Sequence, residues 1–220
     1  SRFTSSLSVR DAKKICENLG IKYSIINIEK IFKSYLSLLK LDISNIDETI
    51  ENIQARIRAN LLMAFSNKFK YLVLNTSNKS EISCGYSTLY GDSIGALSVL
   101  GDVFKTDIYR LADYINKDKQ IIPKSVIERA PSAELRFNQK DTDKLPEYSI
   151  LDSILKLYIF GNFTYKDINK LGYKEKIVKK VIDMVYKSEY KRRQLPIPIK
   201  VSDKTFNIDI ILPITNKSKF

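Results

Sequence analysis

Apolar positions along the chain follow two periods, and the switches between them outline the elements. Val9, Ala12, Cys16 and Leu19 recur at helical spacing, and Gly20 is a natural stop. The string Ser8-Val9-Arg10-Asp11 has the form of a capping box for that helix. Cys16 then reads as a small core residue, not a nucleophile. Ile21 to Ile28 is rich in β-branched residues and predicts a buried strand, followed by an apolar helix over 30–40. Ile53, Ile57, Leu61 and Phe65 repeat every four residues and predict a helix with a core stripe running through Phe69. Asn52 and Arg56 occupy a neighbouring stripe, one turn apart. Tyr71 to Leu74 is a short apolar run of the kind buried in parallel sheets, and it ends in the polar segment Asn75 to Glu81.

Ligands of open α/β sheets bind beyond the carboxyl ends of strands, so this polar segment is the first place to look for a site. Four of the seven glycines follow it, at Gly85, Gly91, Gly95 and Gly101, interleaved with Tyr86, Tyr90, Asp92 and Asp102. Such a stretch is either a tight binding loop or a set of turns. A helix is predicted near Thr106 to Ile115, with Ile108, Leu111, Ala112 and Ile115 inward. A loop-like segment runs from Pro131 to Pro146, then helices over 150–158 and 175–187, closed by Ser188 to Pro196. Strand and helix alternate, which predicts an α/β fold in a single domain without internal repeats.

Composition narrows the chemistry. The 220 residues contain no histidine and two cysteines, which excludes zinc fingers, disulfide scaffolds and histidine-based triads. Catalysis must use Lys, Arg, carboxylates, hydroxyls, backbone amides or a bound cation. No apolar run approaches the roughly 18 residues of a membrane span and no signal peptide opens the chain, so the expected setting is cytoplasmic and reducing. The net charge of +12 comes from 37 basic and 25 acidic residues. Lysine supplies 28 of the 37 cations and is spread along the whole chain, which reads as a solvated surface more than as a nucleic-acid face.

Taken singly, the polar residues of the middle third have ordinary readings. Arg56 is a surface ion pair, Thr76 a turn or cap residue, Glu81 a helix-start carboxylate, Tyr86 half-buried packing and Lys105 a surface lysine. Taken as strings they say more. SRFTSSLSVRDAKKICENLGI, ENIQARIRANLLMAFSNK, LNTSNKSEISCGYSTLYGD, GDVFKTDIYRLADYIN, PSAELR and SEYKRRQLP together resemble the synthetase domain of the NAD+ synthetase family, closest to its glutamine-dependent branch. They occur in the family's order and cover nearly the whole chain.

The resemblance implies a Rossmann-like parallel sheet flanked by helices, of the adenine nucleotide alpha hydrolase type. It implies ATP-dependent amidation of nicotinic acid adenine dinucleotide through an adenylated carboxylate, with ATP as co-substrate, Mg²⁺ as cofactor and a homodimer as the assembly. By residue, it implies dinucleotide contacts from Asn52, Arg56, Glu81, Lys191 and the nicotinate-end segment Tyr86, Ser87, Thr88 and Leu89. ATP contacts fall to Thr76, Lys105 and Ser132, and Mg²⁺ ligation to Glu81. Lys105 and Asp92 carry the catalytic assignments, Asp92 at the ammonia site. Arg192 and Arg193, beside Lys191, read as solvated.

One departure qualifies this. The superfamily holds pyrophosphate with a Ser-Gly-Gly-x-Asp-Ser loop, and no such string occurs in the 220 residues. The first residues already match family sequence that follows the second strand. The chain is therefore expected to be a partial synthetase domain, truncated at its N-terminal strands and without a glutaminase domain, and inactive on its own. The alternatives are a non-catalytic remnant or a subunit of a split synthetase, and, further off, a basic nucleic-acid-binding module.

Overall fold

The structure is a computed structural model that describes residues 1–215. It begins with three helices, α1 (Ser6–Leu19), α2 (Glu29–Leu39) and α3 (Glu48–Phe69). Strand β1 (Leu74–Asn75) leads into the short helix α4 (Lys79–Cys84), and β2 (Leu97–Ser98) into α5 (Lys105–Ile115) and α6 (Lys124–Glu128). A single 3₁₀ turn at Asp141–Asp143 precedes α7 (Tyr148–Ile159), α8 (Tyr165–Lys170), α9 (Glu175–Lys187) and α10 (Glu189–Arg192), and β3 (Ile197–Pro198) closes the sheet. The three strands lie in the order β1-β2-β3, all parallel, with Leu74 opposite Leu97 and Leu97 opposite Ile197. Helical crossovers between parallel strands make this an α/β fold, as the alternation predicts.

Two hydrophobic clusters hold the chain together. The larger packs α4, α7, α8 and α9 through Leu151, Ile154, Leu155, Ile168, Val181 and Ile182, all fully or almost fully buried. The smaller joins Phe3, Ile28, Phe32 and Leu36 to Ile50, Ile53 and Ile57 of α3. Against the larger cluster, Lys79 is fully buried, its ammonium over the Phe104 and Phe160 rings. Its ammonium donates to Asp102 Oδ1 at 2.7 Å, Ser202 Oγ at 2.8 Å and the Lys204 carbonyl at 2.6 Å. Asp102 in turn accepts from the Val201 and Ser202 amides, so the pair ties the segment after β3 back to the strand ends. Removing one partner of such a pair typically costs 3–5 kcal/mol.

The helices at 30–40 and 175–187 fall within a residue or so of expectation, and Gly20 ends α1 in the left-handed conformation. Other expectations need correction. The cap of α1 is Ser5, whose hydroxyl accepts from the Ser8 amide, so the helix starts three residues before the Ser8 box. Its Val9–Leu19 stripe is largely exposed, and Cys16 is only half-buried. Residues 21–28 form no strand. Ile21, Tyr23, Ile25 and Ile26 are exposed, with no pairing neighbour among the described residues, and only Ile28 is buried. β-branched composition reports apolarity, whereas a strand also needs a partner for its backbone groups. The run Tyr71 to Leu74 likewise contributes only Leu74 to β1, and Tyr71 and Leu72 face solvent. In α5 only Ala112 is fully buried, while Leu111 and Ile115 point outward. The stripe of α3 is buried at Ile53 and Ile57 but exposed at Phe65 and Phe69.

Candidate active site

The site is built on the carboxyl end of β1. Asn75 is buried there, and its amide donates to the carbonyls of Asp92 (2.8 Å) and Ile94 (3.0 Å) while its oxygen accepts from the Ser77 amide and the Ser98 hydroxyl. The glycine-punctuated loop is thereby sewn to the strand end. Gly95 permits this approach, since at φ +136° a Cβ would meet the Asn75 nitrogen at 2.9 Å. Helix α4 starts with a full capping box, Asn78 accepting from the Glu81 amide and Glu81 from the Asn78 amide. Its first three residues point three ways. Lys79 goes to the buried pair with Asp102, Ser80 to the Asp152 carboxylate at 2.5 Å, and Glu81 into a cavity.

That cavity, of about 390 Å³, brings together Glu81, Tyr86, Asp92, Lys105 and Ser132. The Lys105 ammonium lies 3.9 Å from Glu81 Oε1 and over the rings of Tyr109 and Tyr148. Burial pushes the Glu81 carboxyl up to about 7, with Lys105 pulling in the opposite direction. A second cavity, of about 210 Å³, is lined by Asn52, Tyr86, Ser87, Thr88, Asp92 and Lys191. A third, of about 460 Å³, has Thr76, Arg58 and again Asp92 in its walls. Asp92 therefore sits where all three meet.

Asp92 Oδ1 accepts from the Thr88 amide at 2.6 Å, and burial raises its pKa above the usual carboxylate range. Thr88 Oγ1 donates to Asn52 Oδ1 at 2.6 Å, which fixes the loop to α3. Lys191, on α10, donates to the carbonyls of Gly85 (2.8 Å) and Ser87 (2.7 Å), and burial lowers its pKa. Ser87 Oγ is buried without a partner and lines the second cavity. Arg56 and Leu89 are not in any of these walls. The exposed Arg56 Nε donates to the Leu89 carbonyl at 3.2 Å, one turn from Asn52 but on the outer side of α3.

Arg192 is not solvated, contrary to expectation. It is fully buried, paired with Glu189 at 2.9 Å, donating to the Ser83 carbonyl and stacked on Phe206. The i,i+3 acid at Glu189 was the available signal. Arg193 pairs with the same Glu189 from a more exposed position. Sequence reasoning also passed over Asp141, which accepts from the hydroxyls of Tyr86 (3.2 Å) and Tyr148 (2.8 Å) at the edge of the first cavity. Glu134, left-handed at φ 50°, accepts from the Ser5 and Ser8 hydroxyls and holds the Ser132–Ala133 loop to α1. Neither had a spacing signal, because their partners lie far away in sequence.

Known proteins similar to this chain fall in one family. The family model described as NAD synthase matches residues 1–195. The chain is 48% identical over 219 residues to a glutamine-dependent NAD(+) synthetase of Aquifex aeolicus, covering 99% of this chain and 39% of that protein. The solved glutamine-dependent NAD+ synthetase of Acinetobacter baumannii, a complex with adenosine diphosphate, is 40% identical with a TM-score of 0.55, over 97% of this chain and 39% of that one. A glutamine-dependent NAD(+) synthetase of Cytophaga hutchinsonii shares the fold at a TM-score of 0.77 and 23% identity, over 99% of this chain and 38% of that one. The chain thus spans about 39% of the length of the curated relatives. The fold is the adenine nucleotide alpha hydrolase type. With a family model matched over most of its length and relatives near half identity, the chain belongs to the NAD synthase family.

Proposed function

We propose that this chain forms the dinucleotide-facing wall, and part of the ATP-facing wall, of a synthetase that amidates nicotinic acid adenine dinucleotide. One observation carries the reading. A cavity with a lysine at a helix start, a carboxylate and a hydroxyl, and a second with a half-buried lysine, an amide and a hydroxyl, meet at the single carboxylate of Asp92. Two substrates that must react with each other need such adjoining sites.

In the first step a nicotinate carboxylate oxygen attacks the α-phosphorus of ATP and pyrophosphate leaves. Lys105, half-buried as the first residue of α5, offsets the phosphate charge. Ser132 and Thr76 offer hydroxyls to the nucleotide. In the second step ammonia attacks the acyl carbon, AMP leaves with the activated oxygen, and the nitrogen loses a proton. Asp92, with its raised pKa and its place between the cavities, is the base that receives it. Lys191, Asn52 and the Tyr86–Thr88 segment hold the dinucleotide, with Arg56 and Leu89 contributing from the outer edge.

The donor set fits Mg²⁺ in the manner of a triphosphate-bound ion. Among the described residues no three candidate ligands cluster, so Glu81 would supply one oxygen and the phosphates most of the others. Bound there, the ion would neutralise phosphate charge. The nitrogen source is ammonia, free or derived from glutamine, the setting cytoplasmic and the assembly a homodimer.

Isothermal titration with crossed variants tests the assignment. The parent chain is expected to bind the dinucleotide and ATP separately. Lys191→Ala should weaken the dinucleotide at least about tenfold, on the order of the 1.5–3 kcal/mol of a charged hydrogen bond, and spare ATP. Lys105→Ala should do the reverse. Equal losses for both ligands, or none, contradict the two-cavity reading.

A further inference from the structure

Helix α5 carries Lys105 as its first residue, yet its own N-cap, Phe104, provides no side-chain cap. The first amides of a helix have no partner within it and must find one elsewhere. Here they find it across the fold. The Lys105 amide donates to Ser80 Oγ at 2.9 Å and the Thr106 amide to Asp152 Oδ2 at 2.9 Å. Ser80 itself donates to Asp152 Oδ1 at 2.5 Å. One carboxylate on α7 therefore collects α4 and α5 at the residues next to Glu81 and next to Lys105, Ser80 and Thr106. Ser80 is fully buried and Asp152 almost so.

The carboxylate has no cation within ion-pairing distance among the described residues, so its charge rests on these donors, on the start of α5 and on the more distant Lys156. One turn further along α7, Lys156 pairs with Asp107 of α5 at 2.9 Å and lies over the Phe104 ring. Two successive turns of α7 thus grip the first turn of α5.

We propose that Ser80 and Asp152 are positioning residues that set Lys105 against Glu81 at the nucleotide end of the site, a role beyond any contact with substrate. This rests on the reading of Lys105 as the ATP-side cation. The bridge fixes the start of α5 relative to α4, and so the 3.9 Å separation of the Lys105 and Glu81 head groups. A helix end held by its own cap would leave that separation free to drift.

Two measurements on the full 220-residue chain decide it. Amide hydrogen exchange reads the bridge without any ligand. In Ser80→Ala the Lys105 amide should exchange at least about tenfold faster while Ile154, in the core of α7, keeps its protection. Unchanged protection at Lys105 overturns the proposal. Titration with ATP then reads the consequence. Ser80→Ala should weaken ATP at least about fivefold and change dinucleotide affinity by less than about twofold. In a Lys105→Ala background it should add less than about twofold, because a residue that acts through Lys105 has nothing left to position. Additive losses, or equal losses for both ligands, reduce Ser80 to a packing residue and overturn the proposal. Should Ser80→Ala not fold, Asp152→Asn, which keeps the size and one acceptor oxygen, takes its place with faster exchange expected at Thr106 or Lys105. If the parent binds no ATP, the functional reading falls by itself and hydrogen exchange decides the bridge.

Discussion

Glu81 is a carboxylate held at a cost. Its side chain is 21% exposed, and burial pushes its carboxyl up to about 7 from an ordinary 4.5, against the pull of Lys105. Between those values the unfolded chain is ionised there and the folded chain is neutral, so folding takes up a proton and stability falls as pH rises. Above 7 the loss is complete, about 3 kcal/mol at 1.36 kcal/mol per pKa unit. Glu81→Gln removes the titration and retains an oxygen for the Asn78 amide. Its stability relative to the parent, from urea unfolding, should therefore rise by about 2–3 kcal/mol between pH 4.5 and 8. A difference that stays flat with pH would mean the carboxyl is ionised throughout. Such a gain from deleting a site residue is what a functional site under strain shows. At this scale the matched strings bring several of their residues to cavity walls but leave Arg56 and Leu89 outside them. Glu81, Lys105, Asp92, Asn52 and Lys191 all reach cavity walls. Asp141 and Glu134 escaped because their partners are tyrosines and serines with no fixed spacing from them.

Helix period was readable and strand pairing was not. The stripe of α9 is buried on one face through Val178, Val181, Ile182 and Val185, as a 3.6-residue repeat requires. Residues 21–28 had the composition of a strand without an edge to pair with. Helix α3 lies between these cases. Its first half packs into the smaller core, whereas Leu62, Phe65 and Phe69 are exposed at 50%, 38% and 45%, with Phe65, Phe69 and Tyr71 stacked in series. An apolar face of this kind is an interface or a liability. As the homodimer contact expected of the family, it makes a definite prediction. The parent should sediment as a dimer and Phe65→Asp as a monomer with its helix content intact by circular dichroism. A monomeric parent, or a dimeric variant, would place the contact elsewhere.

On the scale of the whole molecule, the three parallel strands and their helical crossovers carry the loop, α4, α5 and α10 to one end of the sheet, where ligands of α/β folds bind. The net charge of +12 played little part in this. The cations lining the first two cavities include Lys105 and Lys191, both half-buried and individually placed, whereas exposed lysines such as Lys13, Lys170 and Lys187 pair with acids on their own helices. The 220 residues contain no Ser-Gly-Gly-x-Asp-Ser string, so the phosphate-holding amides of the superfamily have no counterpart within them. Binding of both substrates, without turnover, is the behaviour expected of this chain alone. The most direct measurement is an inter-ligand nuclear Overhauser effect in a mixture of the chain, ATP and nicotinic acid adenine dinucleotide. Adjoining cavities that share Asp92 predict cross-peaks between the nicotinate ring and the ATP ribose, lost with Lys105→Ala. Mutually exclusive binding, with either ligand displacing the other, would contradict the account.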